Sequence, residues 1–228
     1  MRVDGILFDK DGTLFDFDAT WTAWAGALID RLSGGDMTRA DRIASVMGFD
    51  LVSRRFHPTS PAIAGTPDEL AARLAPILDA SEQQVVAMLN AEAMSVPLAE
   101  AVPLAPLLDG LIGRGLVLGV ATNDAEAPAR AHLDTVGVTD RFAFISGCDS
   151  GHGAKPAPGQ CLAFARATGL QPARVAMVGD SRHDLIAGRA AGMRTVAVLT
   201  GPASADTLGP LADVVLPDIG HLPDWLVL

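Results

Sequence analysis

Gly5-Ile6-Leu7-Phe8-Asp9-Lys10-Asp11-Gly12-Thr13-Leu14 is the stretch on which the fold turns. Ile6 to Phe8 is a short apolar run, the pattern of a buried strand. It stops at Asp9, skips one residue to Asp11 and turns on Gly12. Two carboxylates at the end of a buried strand repel each other and lose their hydration. A cation between them relieves both penalties, so the stretch predicts a strand that ends in a cation-dependent site.

Outward from this strand the pattern changes twice. From about Phe15 to about Met94 the sequence reads as helical, with no convincing strand. Trp21, Trp24, Leu28 and Leu32 recur at spacings of three and four, one face of an amphipathic helix. Thr66-Pro67-Asp68-Glu69 has capping-box spacing with Pro at the first helical position, and Ser81-Glu82-Gln83-Gln84 repeats the signal. Arg54 to Pro61 is polar and turn-rich, a predicted loop. After Pro97, strands alternate with helices: strands Leu116 to Ala121, Phe144 to Ser146, Val175 to Val178, Thr195 to Leu199 and Asp213 to Leu216, and helices near Leu104 to Ile112, Ala125 to Val136, Pro158 to Thr168 and Asp184 to Ala191. Gly137, Gly169 and Gly192 close three of those helices. Such alternation predicts a doubly wound α/β fold with a mostly parallel sheet. The layout is a core of residues 1–14 plus 97–228, interrupted after its first strand by a helical insertion, 15–96.

Composition narrows the function. The chain has 228 residues, 49% hydrophobic and 19% charged, enough to bury a core and a smaller insertion. A net charge of −10 opposes binding to nucleic acid or an anionic membrane. No run reaches the ~18 apolar residues of a membrane span. Met1-Arg2-Val3-Asp4 carries no leader pattern, so a cytoplasmic location is expected. The two cysteines, Cys148 and Cys161, match no metal or redox spacing and are read as reduced.

In an open parallel sheet, ligands bind beyond the carboxyl ends of the strands. The first strand ends in Asp9 and Asp11, the next in Thr122-Asn123-Asp124, a later one in Gly179-Asp180-Ser181-Arg182-His183-Asp184, with Ala154-Lys155-Pro156 between them. Carboxylates, a hydroxyl, an amide and an ammonium thus meet at one edge. These groups suit phosphoryl transfer through an acyl phosphate, with magnesium, a Lys and a hydroxyl neutralising charge and a second carboxyl moving the proton.

The positions resemble the haloacid dehalogenase superfamily in its phosphatase branch. Asp9-Lys10-Asp11-Gly12-Thr13 resembles the first motif, Thr122 the second, Lys155 the third, and Gly179-Asp180 with Asp184 the fourth. The resemblance implies that Asp9 is nucleophile and magnesium ligand. It implies that Asp11 is general acid and base, with its backbone carbonyl also reaching the metal. Thr122 and Lys155 would hold phosphate oxygens, Asp180 would bind Mg2+, and Asp184 would orient Lys155 or a metal-bound water. Dehalogenases of the superfamily lack the second Asp, so Asp11 favours phosphate esters. The insertion resembles the helical cap placed after the first strand, and the whole looks most like phosphoglycolate phosphatase, acting on a small anionic metabolite such as 2-phosphoglycolate.

Other positions are expectations of their own. Asn123 is a candidate phosphate donor. Arg54, Arg55 and His57 are candidates for gripping a substrate carboxylate from the cap. Asp124 is read as a helix-start residue pointing away from phosphate. Trp21 and Trp24 are read as cap core, and His132, His152, His183 and His221 as structural or surface, with His183 and Arg182 within reach of the site. A β-phosphoglucomutase-like phosphomutase and a non-catalytic binding member of the fold are the alternatives. A receiver domain is too short and carries its phosphoacceptor on a later strand. The sequence leaves monomer or homodimer open.

Overall fold

The computed structural model describes residues 3–57 and 59–227. Met1, Arg2, Pro58 and Leu228 lie outside the described residues, and with them the outermost ends of the expected core and one position of the expected loop.

Strand β1 (Gly5–Phe8) is buried along its whole length. A π-helical turn at Asp18–Thr22 leads directly into α1 (Ala23–Ser33). Helix α2 (Met37–Met47) starts on Asp36, whose carboxylate accepts from the N–H groups of Thr38 and Arg39. A two-stranded antiparallel hairpin follows, β2 (Phe49–Asp50) and β3 (Arg55–Phe56). Then come α3 (Pro61–Ala64), α4 (Pro67–Leu78) and α5 (Glu82–Ala93). Both expected capping boxes form, Thr66 with Glu69 and Ser81 with Gln84.

The remaining chain alternates: α6 (Leu104–Gly113), β4 (Val117–Ala121), α7 (Glu126–Thr135), β5 (Phe144–Ser146), α8 (Gly159–Thr168), β6 (Val175–Gly179), α9 (Arg182–Ala190), β7 (Arg194–Val198), α10 (Ala205–Leu208), β8 (Val214–Leu216) and α11 (Leu222–Trp225).

The hairpin corrects the expectation of a strandless insertion and a loop from Arg54. Its strands are two residues each, too short to show a period-2 pattern. Asp50 closes its turn by accepting from the N–H groups of Val52 and Ser53, both at 2.8 Å, and Arg54 takes the left-handed conformation at φ 53°.

The main sheet runs β5-β4-β1-β6-β7-β8, all pairs parallel. From β1 the chain goes to β4 and β5 on one side, then crosses to β6 on the other. The switch point is therefore β1 itself, where a crevice opens beyond the strand ends. Register decides which side chains share it. Phe8 pairs with Val120 and with Val178, so Asp9 emerges level with Ala121 and Gly179, one step before Thr122 and Asp180.

Ile6, Phe8, Leu118, Val120 and Val178 pack with α6 and α11 on one face, while Leu7, Met177, Cys161 and Phe164 fill the other. Each such buried side chain contributes roughly 1.5–3 kcal/mol by leaving water. The helical segment has its own cluster, centred on Leu28, Ile29, Ile43, Met47, Leu74 and Val85. Phe17, Trp21, Ala93 and Val96 form a smaller one where segment and sheet meet. Among the described residues no helix is long and apolar enough to cross a membrane.

Candidate active site

Lys155, on the loop before α8, is the buried centre of the crevice. Its Nζ donates to Asp9 Oδ1 at 2.6 Å, to Asp184 Oδ1 at 2.6 Å and to the Ala121 carbonyl at 2.7 Å. Those three bonds use every proton of the ammonium group. Asp184 is fixed from its other oxygen. It is the third residue of α9, and Oδ2 accepts from Ser181 N at 3.0 Å and Ser181 Oγ at 2.6 Å in a capping box. The helix start and the lysine clamp are thus one structure.

Asp9, Asp180 and Asp184, all buried, each present an oxygen within 4.8 Å of the other two. Burial, with the charges of Asp184 and Asp11, pushes the Asp9 carboxyl up to about 7 despite Lys155 beside it. Burial and the charges of Asp9 and Asp184 also raise Asp180 well above the ordinary carboxylate range. Gly12 lets Asp180 come close: it is left-handed at φ 80°, and a Cβ there would lie 2.5 Å from the Asp180 carboxylate. Asp180 and Asp9 are the members of this cluster not already held by a cap. A dense set of buried hard oxygens is the donor chemistry of a magnesium site.

Asp11 points elsewhere. Its Oδ1 accepts from Trp21 Nε1 at 2.8 Å and from Lys10 Nζ at 2.7 Å. The carboxylate is therefore absent from the three-Asp cluster, leaving to Asp11 only its backbone carbonyl for the expected metal contact. Desolvation would raise Asp11, but Lys10, His132 and the hydrogen bonds from Lys10 and Trp21 outweigh it and hold the carboxyl below its ordinary range. Lys10 is fully buried; its Nζ also lies 3.0 Å from Asp124 Oδ2 and 3.0 Å from His132 Nδ1. His132 Nε2 is 2.7 Å from the Ala93 carbonyl at the end of α5. Burial, then the charge of Lys10, lowers His132 below its ordinary value. The site holds five carboxylates (Asp9, Asp11, Asp124, Asp180, Asp184) against two ammonium groups (Lys10, Lys155), an imbalance that a divalent cation would offset.

Thr122 is buried; its Oγ1 accepts from Asp124 N at 3.1 Å, which leaves its proton to donate into the cavity it lines. Asn123 does not hold its side chain toward an anion. Its Oδ1 accepts from Lys155 N, and its Nδ2 donates to the carbonyls of Lys155 and Ala64, all at 2.8 Å. It is a tie between loops. Asp124 also departs from expectation: α7 begins later, at Glu126, and Asp124 faces Lys10 and lines the cavity.

Arg54, Arg55 and His57 are exposed and absent from the cavity wall, to which Phe56 contributes instead. Strand alternation explains this: on β3, successive side chains point to opposite faces, so an inward Phe56 sends Arg55 outward. Arg55 lies 3.8 Å from Asp18, and the Arg54 guanidinium packs over Gly26 of α1. Trp21 and Trp24 are packed as expected but also line the cavity, as does His183. Sequence reading missed Lys10 and His132. Lys10 carried a signal, since a lysine between two aspartates at a buried strand end is held by charge; His132 carried none.

The fold and the crevice define a doubly wound α/β protein with a carboxylate-rich cavity at a topological switch point. Residues 3–192 match the family described as haloacid dehalogenase-like hydrolase, and the chain belongs to that family. It is 30% identical to "Probable phosphatase IndB" of Dickeya dadantii over 222 residues, 93% of this chain and 88% of that protein. It is 38% identical to "Phosphoglycolate phosphatase" of Rhodospirillum rubrum over 122 residues, 53% of this chain, so the match spans 50% of that relative's length. A crystal structure titled as a predicted phosphoglycolate phosphatase from Haemophilus somnus shares the fold, with a TM-score of 0.72 at 17% identity over 99% of this chain and 98% of that one.

Proposed function

We propose that the protein is a magnesium-dependent phosphomonoesterase that hydrolyses a small phosphorylated metabolite through an aspartyl phosphate. The observation that carries this reading is the clamp of Lys155 on Asp9 and Asp184, with Asp180 beside them and Asp11 held apart. Asp9, Asp180 and the Asp11 carbonyl would hold the ion. When bound, it supplies positive charge that lets an anionic nucleophile approach an anionic ester.

The chain's own groups do the rest. Lys155 orients Asp9 and offsets its charge. An Asp9 oxygen bonds to phosphorus as the bond from phosphorus to the ester oxygen breaks. Without substrate the Asp11 carboxyl is held low by Lys10 and Trp21. In this reading it turns from them toward the ester and takes up a proton when substrate binds, then gives that proton to the departing alkoxide so that the alcohol leaves neutral. Water then attacks phosphorus, Asp11 takes its proton, and the Asp9–phosphorus bond breaks to give inorganic phosphate. Thr122 donates its hydroxyl to a phosphate oxygen. In this reading residues 15–96 serve as a cap that excludes water and meets the leaving group.

Relatives named phosphoglycolate phosphatase support 2-phosphoglycolate as a first substrate to assay. The test is phosphate release from a panel of esters with and without Mg2+, against Asp9→Asn. Release that needs magnesium and vanishes in Asp9→Asn is expected. Full activity in Asp9→Asn would overturn the mechanism.

A further inference from the structure

We infer that the substrate's leaving group is uncharged and carries a ring or an extended apolar face, rather than a carboxylate. This rests on the phosphatase reading above and concerns the other end of the same cavity.

The two ends of that cavity differ in kind. The sheet side is ionic, with Asp9, Asp11, Asp124, Asp180, Asp184 and Lys155. The side built by residues 15–96 presents Trp24, Phe56, Ile63, Leu70 and Leu89, and no charged side chain among the described residues there lines it. Its polar groups are neutral. Asn90 is the side-chain amide, and the buried indole N–H of Trp24 has no hydrogen-bond partner. The aromatic wall is braced: Trp24 meets Trp21 edge to face with centroids 5.0 Å apart, and Phe56 meets Phe17 at 5.7 Å and Phe49 at 5.1 Å.

A carboxylate placed against this wall would lose its water and gain no cation. The lysine in the cavity is no help, because its three protons are already bound to Asp9, Asp184 and Ala121. The two arginines expected to grip a carboxylate stand outside the wall. An uncharged ring fits instead. It gains contact area on Trp24 and Phe56, and an oxygen or ring nitrogen on it could accept the unspent indole proton.

The experiment compares kcat/KM for benzyl phosphate, adenosine 5′-monophosphate and 2-phosphoglycolate at saturating Mg2+, with Asp9→Asn as blank. The better of the two ring-bearing esters should exceed 2-phosphoglycolate by at least about tenfold. Trp24→Ala should cut that advantage about tenfold, chiefly through the ring-bearing ester. Asn90→Arg, a half-exposed position that tolerates change should Trp24→Ala not fold, should shift preference toward 2-phosphoglycolate by a similar factor. Wild-type turnover of 2-phosphoglycolate as fast as the better of the two ring esters would overturn the inference and leave the phosphatase standing. Magnesium-independent release, or none from any ester, would overturn both.

Discussion

Asn123 and Lys155 are joined by a reciprocal pair of hydrogen bonds, Lys155 N to Asn123 Oδ1 and Asn123 Nδ2 to Lys155 O, each 2.8 Å. A side-chain amide here mimics a peptide group and fixes the backbone of the loop that carries the clamping ammonium. The second proton of Nδ2 goes to Ala64 at the end of α3, so one side chain joins the β4 end, the Lys155 loop and the helical segment.

Asn123→Ala should therefore disturb catalysis without touching the reacting atoms. It leaves a buried N–H unpaired, costing roughly 1–3 kcal/mol of stability. A displaced Lys155 should lower kcat by about 10–100-fold. Asn123→Asp should do no better than Ala, because it replaces the two amide donors with a carboxylate oxygen that faces the Lys155 and Ala64 carbonyl oxygens. Steady-state kinetics and urea melts check this; wild-type kcat in both variants would refute the tie.

Lys10→Met should be among the most destabilising single changes in the core. Lys10 is wholly buried between Asp11 and Asp124, and its removal leaves both carboxylates without their cation. Breaking a buried ion pair from one side costs about 3–5 kcal/mol, a large share of the ~5–15 kcal/mol that holds a domain folded. Adding Asp124→Asn should recover part of that loss. Additive losses in the double variant would show that Asp124 does not depend on Lys10.

The sheet was legible because each core strand is an apolar run that ends on polar residues, and because Gly137, Gly169 and Gly192 mark helix ends in sequence. Asp9 and Asp180 were legible for a related reason: strand register brings them together once the sheet is parallel, while Lys155 arrives on the loop before α8. What the sequence withheld depends on side-chain direction. Nothing in the order Asn123-Asp124 says that the first turns to a loop and the second to Lys10. The Arg54-Arg55-Phe56 run does not say which member faces inward; the hairpin decides it. His132 meets Lys10 only because α7 packs under the β1 end, a long-range contact with no local pattern.

Magnesium should stabilise the protein in a pH-dependent way. The Asp9 carboxyl sits at about 7 in the folded chain against 3.8 for an ordinary Asp. A raised folded value means that the metal-free native state keeps this proton after the unfolded chain has lost it. Stability from this group is full below about pH 4 and is lost as pH rises through about 7. A metal binds the deprotonated form and competes with the proton. MgCl2 should therefore raise Tm clearly more at about pH 8 than at about pH 5, and Asp9→Asn should flatten that difference. Equal magnesium shifts at both pH values in the wild type would show that Asp9 is not a ligand.

Replacing Arg54 and Arg55 together by Ala should leave turnover of small phosphate esters within about twofold of wild type. Neither side chain lines the cavity, and the ion pair they make among the described residues, Arg55 with Asp18 at 3.8 Å, joins two exposed groups. Exposed pairs of this kind contribute about 0–1 kcal/mol. The Arg54 side chain covers Gly26, so a small loss of packing on α1 is expected, visible as a modest fall in Tm rather than in KM. A rise in KM of tenfold or more for 2-phosphoglycolate, with kcat unchanged, would mean that these arginines swing into the cavity when substrate binds, and it would return substrate recognition to charge.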